Sequence, residues 1–274
     1  MKFVCPKCMS ALAVGESGAA VCPAGHSFDR SREGYYNLLL SGTGGTHGDN
    51  REMVAARRAF LDTGAYLPLA EAASRLVCEN FCAGDALLDV GLGEGYYTDI
   101  IEKSLAEKFG EDSYGSISGF DISKDAVKMA ARRNKRLSLA VASAYRMPIP
   151  DSSFEVVTNL FSPLAREEIL RVLAPRGKFI MAIPGENHLF GLKSAIYDTP
   201  YRNEVADSAL EGFSLLSSEK IAYTLTLDSQ EKIRSLFMMT PYAYRTGRVE
   251  RERVFALESI ETEIEFWLFL YEKR

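Results

Sequence analysis

The sequence predicts an α/β fold, a doubly wound and mostly parallel sheet, with a small module appended at the N-terminus. Three observations predict it. The apolar run from Ala86 to Val90 leads straight into Gly91, Gly93 and Gly95 and then into a helical segment. From there to residue 183, strand-like and helix-like segments alternate, as they do when parallel strands are joined by crossover helices. Cys5, Cys8 and Cys22 crowd into the first 22 residues and are followed by His26.

Size and composition bound the rest. A chain of 274 residues with 47% hydrophobic content has room for one large domain plus a small appendage. No apolar run approaches the roughly 20 residues that span a bilayer. The opening MKFVCPKCMS lacks the apolar core of a secretory signal. A cytoplasmic protein without a membrane segment is expected. The net charge of -5 argues against general affinity for nucleic acid, although local basic patches decide such binding.

The first module spans residues 1–40. Its spacing is C-x2-C-x13-C-x3-H, over Cys5, Cys8, Cys22 and His26. Zinc takes four such ligands at tetrahedral corners, and a closed Cys3His set is structural because it leaves no open position. Pro6, Pro23 and Gly25 suit the tight turns that aim each pair at one ion. The segment has few large apolar residues, so metal binding would supply folding energy. The alternative is a reduced cysteine cluster without metal.

Residues 41–50, SGTGGTHGDN, hold four glycines and no apolar period, which predicts a flexible linker. Over residues 51–81, Met53, Ala56, Phe60, Leu61, Leu69, Ala72, Ala73 and Leu76 recur at helical spacing, and Gly64 and Pro68 break the region into two helices. Arg51, Arg57 and Arg58 place positive charge here, either as a solvated face or as a contact to RNA or cofactor.

The strand at 86–90 runs directly into the glycine turn. Only glycine lets the backbone turn sharply and approach a ligand closely. Such a turn alone also fits a dinucleotide binder. Asp121, at the tip of the next strand, can accept hydrogen bonds from two ribose hydroxyls. Ser123 suits the cap of a basic helix over about 124–135. Strands follow at 139–142, near 151–157 and at 178–183. A helix at 167–173 is stopped before the turn Pro175-Arg176-Gly177. In the C-terminal part, 205–274, Ile221 to Leu227 and Ile260 to Tyr271 read as a closing strand pair. Glu261, Glu263 and Glu265 alternate on one face of the second.

These residues resemble class I S-adenosylmethionine methyltransferases. The likeness rests on Asp89-Val90-Gly91-Leu92-Gly93-Glu94-Gly95, on Asp121 and on the LAPRGKFI segment. Dehydrogenases carry the third glycine three residues after the second, and here the gap is two. Over nearly its full length the chain further resembles the RlmA family of 23S rRNA guanine-N1 methyltransferases. The matching segments are CPKC with CPAGHSFD, REGYYNLL, ARRAFLDTGAYLPL, GEGYYT, PGENHLFGLK and MTPYAYR. Leu92 departs from the cysteine frequent among relatives, at a position expected to pack beneath the turn.

The resemblance implies a methyltransferase domain over 51–274 and an RNA-recognition role for the zinc module. It implies methyl transfer from S-adenosylmethionine to guanine N1 in a domain II hairpin of 23S rRNA, near the peptide exit tunnel and relevant to macrolide resistance. It also implies a homodimer. Tyr66, Gly93, Glu94 and His188 match cofactor-contacting positions of the family. Asp89, Gly91, Gly95, Asp121, Ile122 and Ser143 complete the expected cofactor-binding set. Asp89 can hold the turn, touch the ligand, or do both. Without the resemblance, Tyr66 would read as an ordinary aromatic and His188 as a structural histidine.

No catalytic base is identified. Asn159, Ser162 and Pro163 fall in the substrate-facing loop, and none is a good base. Phosphate contacts are expected from Lys2, Lys7, Arg30, Arg32, Arg57, Arg58, Arg245, Arg248, Arg251 and Arg253. Two other functions fit the same core: a small-molecule methyltransferase, and an RNA-binding protein that has no catalysis.

Overall fold

A computed structural model describes residues 2–40, 48–111, 113–205 and 207–274. Most of the expected linker 41–50 lies outside the described residues, and only Gly48, Asp49 and Asn50 fall within them.

The N-terminal module folds as a small antiparallel sheet of β1 (Ala13–Val14), β2 (Ala20–Val21) and β3 (Ser27–Phe28), followed by β4 (Tyr36–Asn37). Next come α1 (Arg51–Leu61) and α2 (Leu67–Glu79). Asn50 caps α1 by accepting the Met53 N–H at 3.0 Å. The break between these helices falls at Gly64, which adopts φ +79°. Pro68 does not interrupt α2: it sits in the first turn, where a missing N–H costs nothing.

The central unit runs β5 (Ala86–Val90), α3 (Tyr96–Phe109), β6 (Ser116–Asp121), α4 (Lys124–Arg133) and β7 (Ser138–Val141). It continues with β8 (Phe154–Leu160), α5 (Arg166–Val172) and β9 (Leu173–Pro184). Every residue of β5 is buried, as a strand covered on both faces requires. Ser123 caps α4 by accepting the Ala126 N–H at 3.2 Å. The expected turn at Pro175–Gly177 lies inside β9. The strand bends there, with Arg176 at φ +60° and a register shift against β8 between Phe154 and Val156.

The C-terminal part holds α6 (Phe190–Ile196), β10 (Phe213–Leu227), α7 (Gln230–Met238), α8 (Tyr242–Arg245), α9 (Arg248–Phe255) and β11 (Ile260–Lys273). The closing strand pair is present, but β10 begins at Phe213, well before the expected Ile221, and helices fill the interval between the strands. Glu261 and Glu263 are exposed on β11, whereas Glu265 is buried and takes donors from Asn187 and Lys220.

The large sheet has the order β10-β11-β9-β8-β5-β6-β7-β4. Strands β4 to β9 in this sheet pair in parallel, and β11 runs antiparallel to both β9 and β10. The order reverses between β5 and β8. A crevice opens at the carboxyl ends of the strands flanking such a switch point. Among the described residues, no helix is long and apolar enough to cross a membrane.

The module shares the core of the large sheet. Phe3, Leu12, Tyr36 and Leu38 pack in one cluster with Ala140, Met147, Ile149 and Phe154. Tyr36 pairs with Ala140 across β4 and β7, and the Leu38 N–H reaches Val141 O at 2.9 Å. Each large apolar side chain so buried contributes about 1.5–3 kcal/mol. The module thus obtains from its neighbour the core that its own composition cannot supply.

Candidate functional site

The metal cluster forms from two turns. Sγ of Cys5, Cys8 and Cys22 and a ring nitrogen of His26 all lie within 4.8 Å of one another. His26 Nδ1 is 3.4 Å from both Cys5 Sγ and Cys22 Sγ, and Cys8 Sγ is 3.6 Å from Cys22 Sγ. Zn–S bonds of about 2.3 Å at tetrahedral angles put sulfur atoms about 3.7 Å apart, so this donor set fits zinc. The ion would be held through His26 Nδ1 and three thiolates, closing the module around it.

At the switch point lies a cavity of about 810 Å³, large enough for a nucleoside-sized ligand. The turn after β5 forms its floor. Gly91, Gly93 and Gly95 adopt φ of +74°, +59° and +83°. A β-carbon on Gly91 would overlap the Ser162 side chain, so the turn and the loop after β8 meet directly. Gly91, Gly93, Glu94, Asp89, Asp121, Ile122, Ser143, Tyr66 and His188 all line the cavity. Gly95 does not: it caps α3, and a β-carbon there would come within 3.0 Å of Ala130 on α4. Leu92 is buried under the turn, against Gly119.

Asp89 is fully engaged with the fold. It accepts the hydroxyls of Thr98 and Thr158, the latter at 2.9 Å. Burial pushes its carboxyl up to about 6, against the pull of those two hydrogen bonds. Asp121 accepts the Gly93 N–H at 3.0 Å and the Ser123 N–H at 2.7 Å, which ties the two strand tips together. Each of its oxygens keeps a further lone pair for a bound hydroxyl. Glu94 accepts two guanidinium hydrogen bonds from Arg133, at 3.0 and 2.8 Å, through Oε2 alone. Its Oε1 is buried without a partner among the described residues. This orphaned acceptor, the glycine cradle and the lone pairs of Asp121 fit a polar, partly cationic nucleoside such as S-adenosylmethionine.

Tyr66 and His188 form the opposite wall with Phe266. The His188 ring is 4.6 Å and the Tyr66 ring 4.9 Å from Phe266. His188 Nδ1 accepts the Glu265 N–H at 3.3 Å, so its proton sits on Nε2, 3.3 Å from the Tyr66 hydroxyl. Burial pushes His188 down to about 3 and keeps it neutral.

Several lining residues escaped the sequence reading. Tyr97, Phe161, Phe266, Tyr201 and Tyr242 make the wall largely aromatic. Tyr97 and Tyr242 lie in the GEGYYT and MTPYAYR segments, whereas Phe161, Tyr201 and Phe266 carried no advance signal. Asp49 also lines the cavity and pairs with Arg57, whose guanidinium donates to Met239 O at 3.2 Å.

Many expected phosphate contacts are committed elsewhere. Lys2 donates to Ser153 O, Arg30 to Gly34 O and Arg251 to Ala243 O. Arg58, Arg248 and Arg253 pair with Asp62, Glu252 and Asp198. Arg57 and Arg245 face the cavity. The basic helix α4 is largely a clamp: Lys128 and Arg132 hold Glu33 of the module, and Arg133 holds Glu94 and Asp62.

Comparison with known proteins agrees with this anatomy. A methyltransferase domain family matches residues 88–181, and the RlmA N-terminal zinc ribbon family matches residues 3–40. The chain is 34% identical over 231 residues to a 23S rRNA (guanine(748)-N(1))-methyltransferase of Streptomyces fradiae, covering 82% of this chain and 79% of that relative. It is 31% identical over 269 residues to a putative 23S rRNA (guanine-N(1)-)-methyltransferase of Bacillus subtilis, covering 95% and 92%. A demethylmenaquinone methyltransferase of Symbiobacterium thermophilum is similar over only 37% of the chain, at 32% identity. Among solved structures, the YcgJ protein of Bacillus subtilis shares the fold, with a TM-score of 0.50 at 16% identity, covering 74% of this chain and 98% of that one.

Proposed function

Since the chain belongs to the RlmA family of S-adenosylmethionine-dependent 23S rRNA guanine-N1 methyltransferases, we propose that it methylates guanine N1 in a domain II hairpin of 23S rRNA. On this reading the mark lies near the peptide exit tunnel and bears on macrolide sensitivity, and the enzyme works in the cytoplasm.

One observation carries the RNA reading. The zinc module touches the rim of the cavity. Arg146 donates to Pro6 O in the first zinc turn at 3.4 Å, while its neighbours Ser143, Ala144 and Tyr145 line the cavity. A module joined to the rim is suited to hold a large substrate over the site.

When bound, S-adenosylmethionine supplies an electrophilic methyl group on a sulfonium. The chain supplies alignment and water exclusion. Asp121, Glu94 and the glycine turn hold the nucleoside end. Tyr66 donates its hydroxyl hydrogen into the cavity, because its oxygen already receives the His188 Nε2–H. The aromatic wall receives a guanine turned out of the helix, since N1 lies on the pairing edge. Asn159 braces its loop, accepting the Ser162 N–H at 3.2 Å and donating to Pro163 O at 3.3 Å. It is no base, and His188 Nδ1 is already engaged. Water or an RNA group is the acceptor proposed for the N1 proton.

A homodimer fits the open edge of the sheet, where β10 carries exposed Leu215 and Leu216. Incubation of unmodified 23S rRNA with the protein and labelled cofactor, followed by mass mapping, tests the function. Label on one domain II guanine at N1 is expected. Label elsewhere, or none, overturns it.

A further inference from the structure

Phe161 combines features that core and surface aromatics do not share. It lines the cavity at the rim, 38% exposed. Its backbone is in the left-handed region at φ +69°, a conformation disfavoured for any bulky side chain. Tyr145 and Tyr201 are more exposed on the same rim but carry no such strain.

The surroundings hold Phe161 there. Its N–H donates to Ala182 O at 3.2 Å, and Asn159 clasps the next two residues from both sides. Its ring leans on Phe266 at 5.1 Å and Tyr97 at 6.2 Å, which back it from inside. Ser162, the next residue, abuts Gly91 of the cofactor turn. The exposed ring therefore stands beside the point where the turn would hold a methyl donor. Glycine would adopt this backbone freely, so the strain is tolerated for the ring.

Resting on the function proposed above, we infer that Phe161 is the stacking platform for the target guanine. The extruded base lies on the outer face of the ring, with N1 turned toward the glycine turn. Aromatic faces accept any base, so the platform supplies orientation and residence rather than base identity.

The test compares the full-length wild type with Phe161→Tyr, Phe161→Leu and Phe161→Gly on unmodified 23S rRNA. The readouts are kcat/KM for RNA, calorimetric affinity for S-adenosylmethionine, and Tm. Phe161→Tyr is expected to match the wild type. Phe161→Leu and Phe161→Gly are expected to lose ~5- to 150-fold in kcat/KM, mostly through KM, with cofactor affinity unchanged. In Phe161→Gly the released backbone strain offsets the lost contacts to Phe266 and Tyr97 and the freer unfolded chain, so its Tm is expected to stay close to that of Phe161→Leu or above it. A purely structural side chain would instead lower Tm in both variants and lower kcat with no selective rise in KM for RNA, and that result overturns the platform. Loss of cofactor affinity overturns it as well. A wild type that labels the RNA while Phe161→Leu and Phe161→Gly equal it overturns the platform alone. A wild type that leaves the RNA unlabelled overturns both readings.

Discussion

The Tyr66 hydroxyl lies 3.3 Å from His188 Nε2, a buried contact between residues 122 positions apart in the chain. The Glu265 N–H fixes the histidine tautomer from behind. The phenol is therefore obliged to donate its own hydrogen into the cavity.

Tyr66→Phe removes that donor and leaves the His188 Nε2–H buried without a partner, at a cost of about 1–3 kcal/mol. Affinity for S-adenosylmethionine is expected to fall about tenfold or more by calorimetry. Unchanged affinity would remove the pair from the cofactor site.

Burial raises the carboxyls of Asp89 and Glu94 to about 6 from ordinary values of 3.8 and 4.5. The folded state then binds protons more tightly than the unfolded chain. The linked stability is full below about pH 4 and is lost as pH rises through about 6. Asp89→Asn removes one such group. Relative to wild type it is expected to gain up to about 3 kcal/mol between pH 4 and pH 7. Urea melts at both values check this, and a parallel pair of curves would refute it.

Gly95→Ala places a side chain at φ +83° and drives it against Ala130, tightening the contact between α3 and α4. A loss of about 1–3 kcal/mol is expected. Chemical denaturation measures it, and wild-type stability would show that the two helices yield.

Cys22→Ser removes a ligand that is also part of the shared core. Bound zinc, read by elemental analysis, is expected to drop toward zero. Hydrogen exchange at the Leu38 amide, which donates to Val141 O, is expected to rise. Cofactor affinity is expected to survive while RNA methylation falls. Intact zinc content would mean that Cys22 is not a ligand.

The central β5-turn-α3 unit and the zinc turns were legible in the sequence because their signals are local. Both are set by spacings within a few residues of one another. The helices between Gln230 and Phe255 were not legible as helices. The stretch Arg248–Phe255 is charged nearly all round, which leaves no apolar stripe to recognise. The pairing of β4 with β7 was hidden for a different reason. It is a two-residue strand whose partner lies about a hundred positions away. Phe161 and Phe266 were not singled out, since neither a left-handed backbone nor the opening of a cavity leaves a mark on residue type. The division into two helices around Gly64 and Pro68 was legible, with Pro68 marking the first turn of the second helix.

The pairing of Tyr36 with Ala140 also sets an order of events during synthesis. The four metal ligands lie close together in the chain, between Cys5 and His26, so the metal turns need no distant segment to form. The edge on which that small unit must dock exists only after residue 141 has been made. The metal fixes the turns at residues 5–26, but the strand edge at Tyr36 and Asn37 stays open until Ala140 and Val141 reach it.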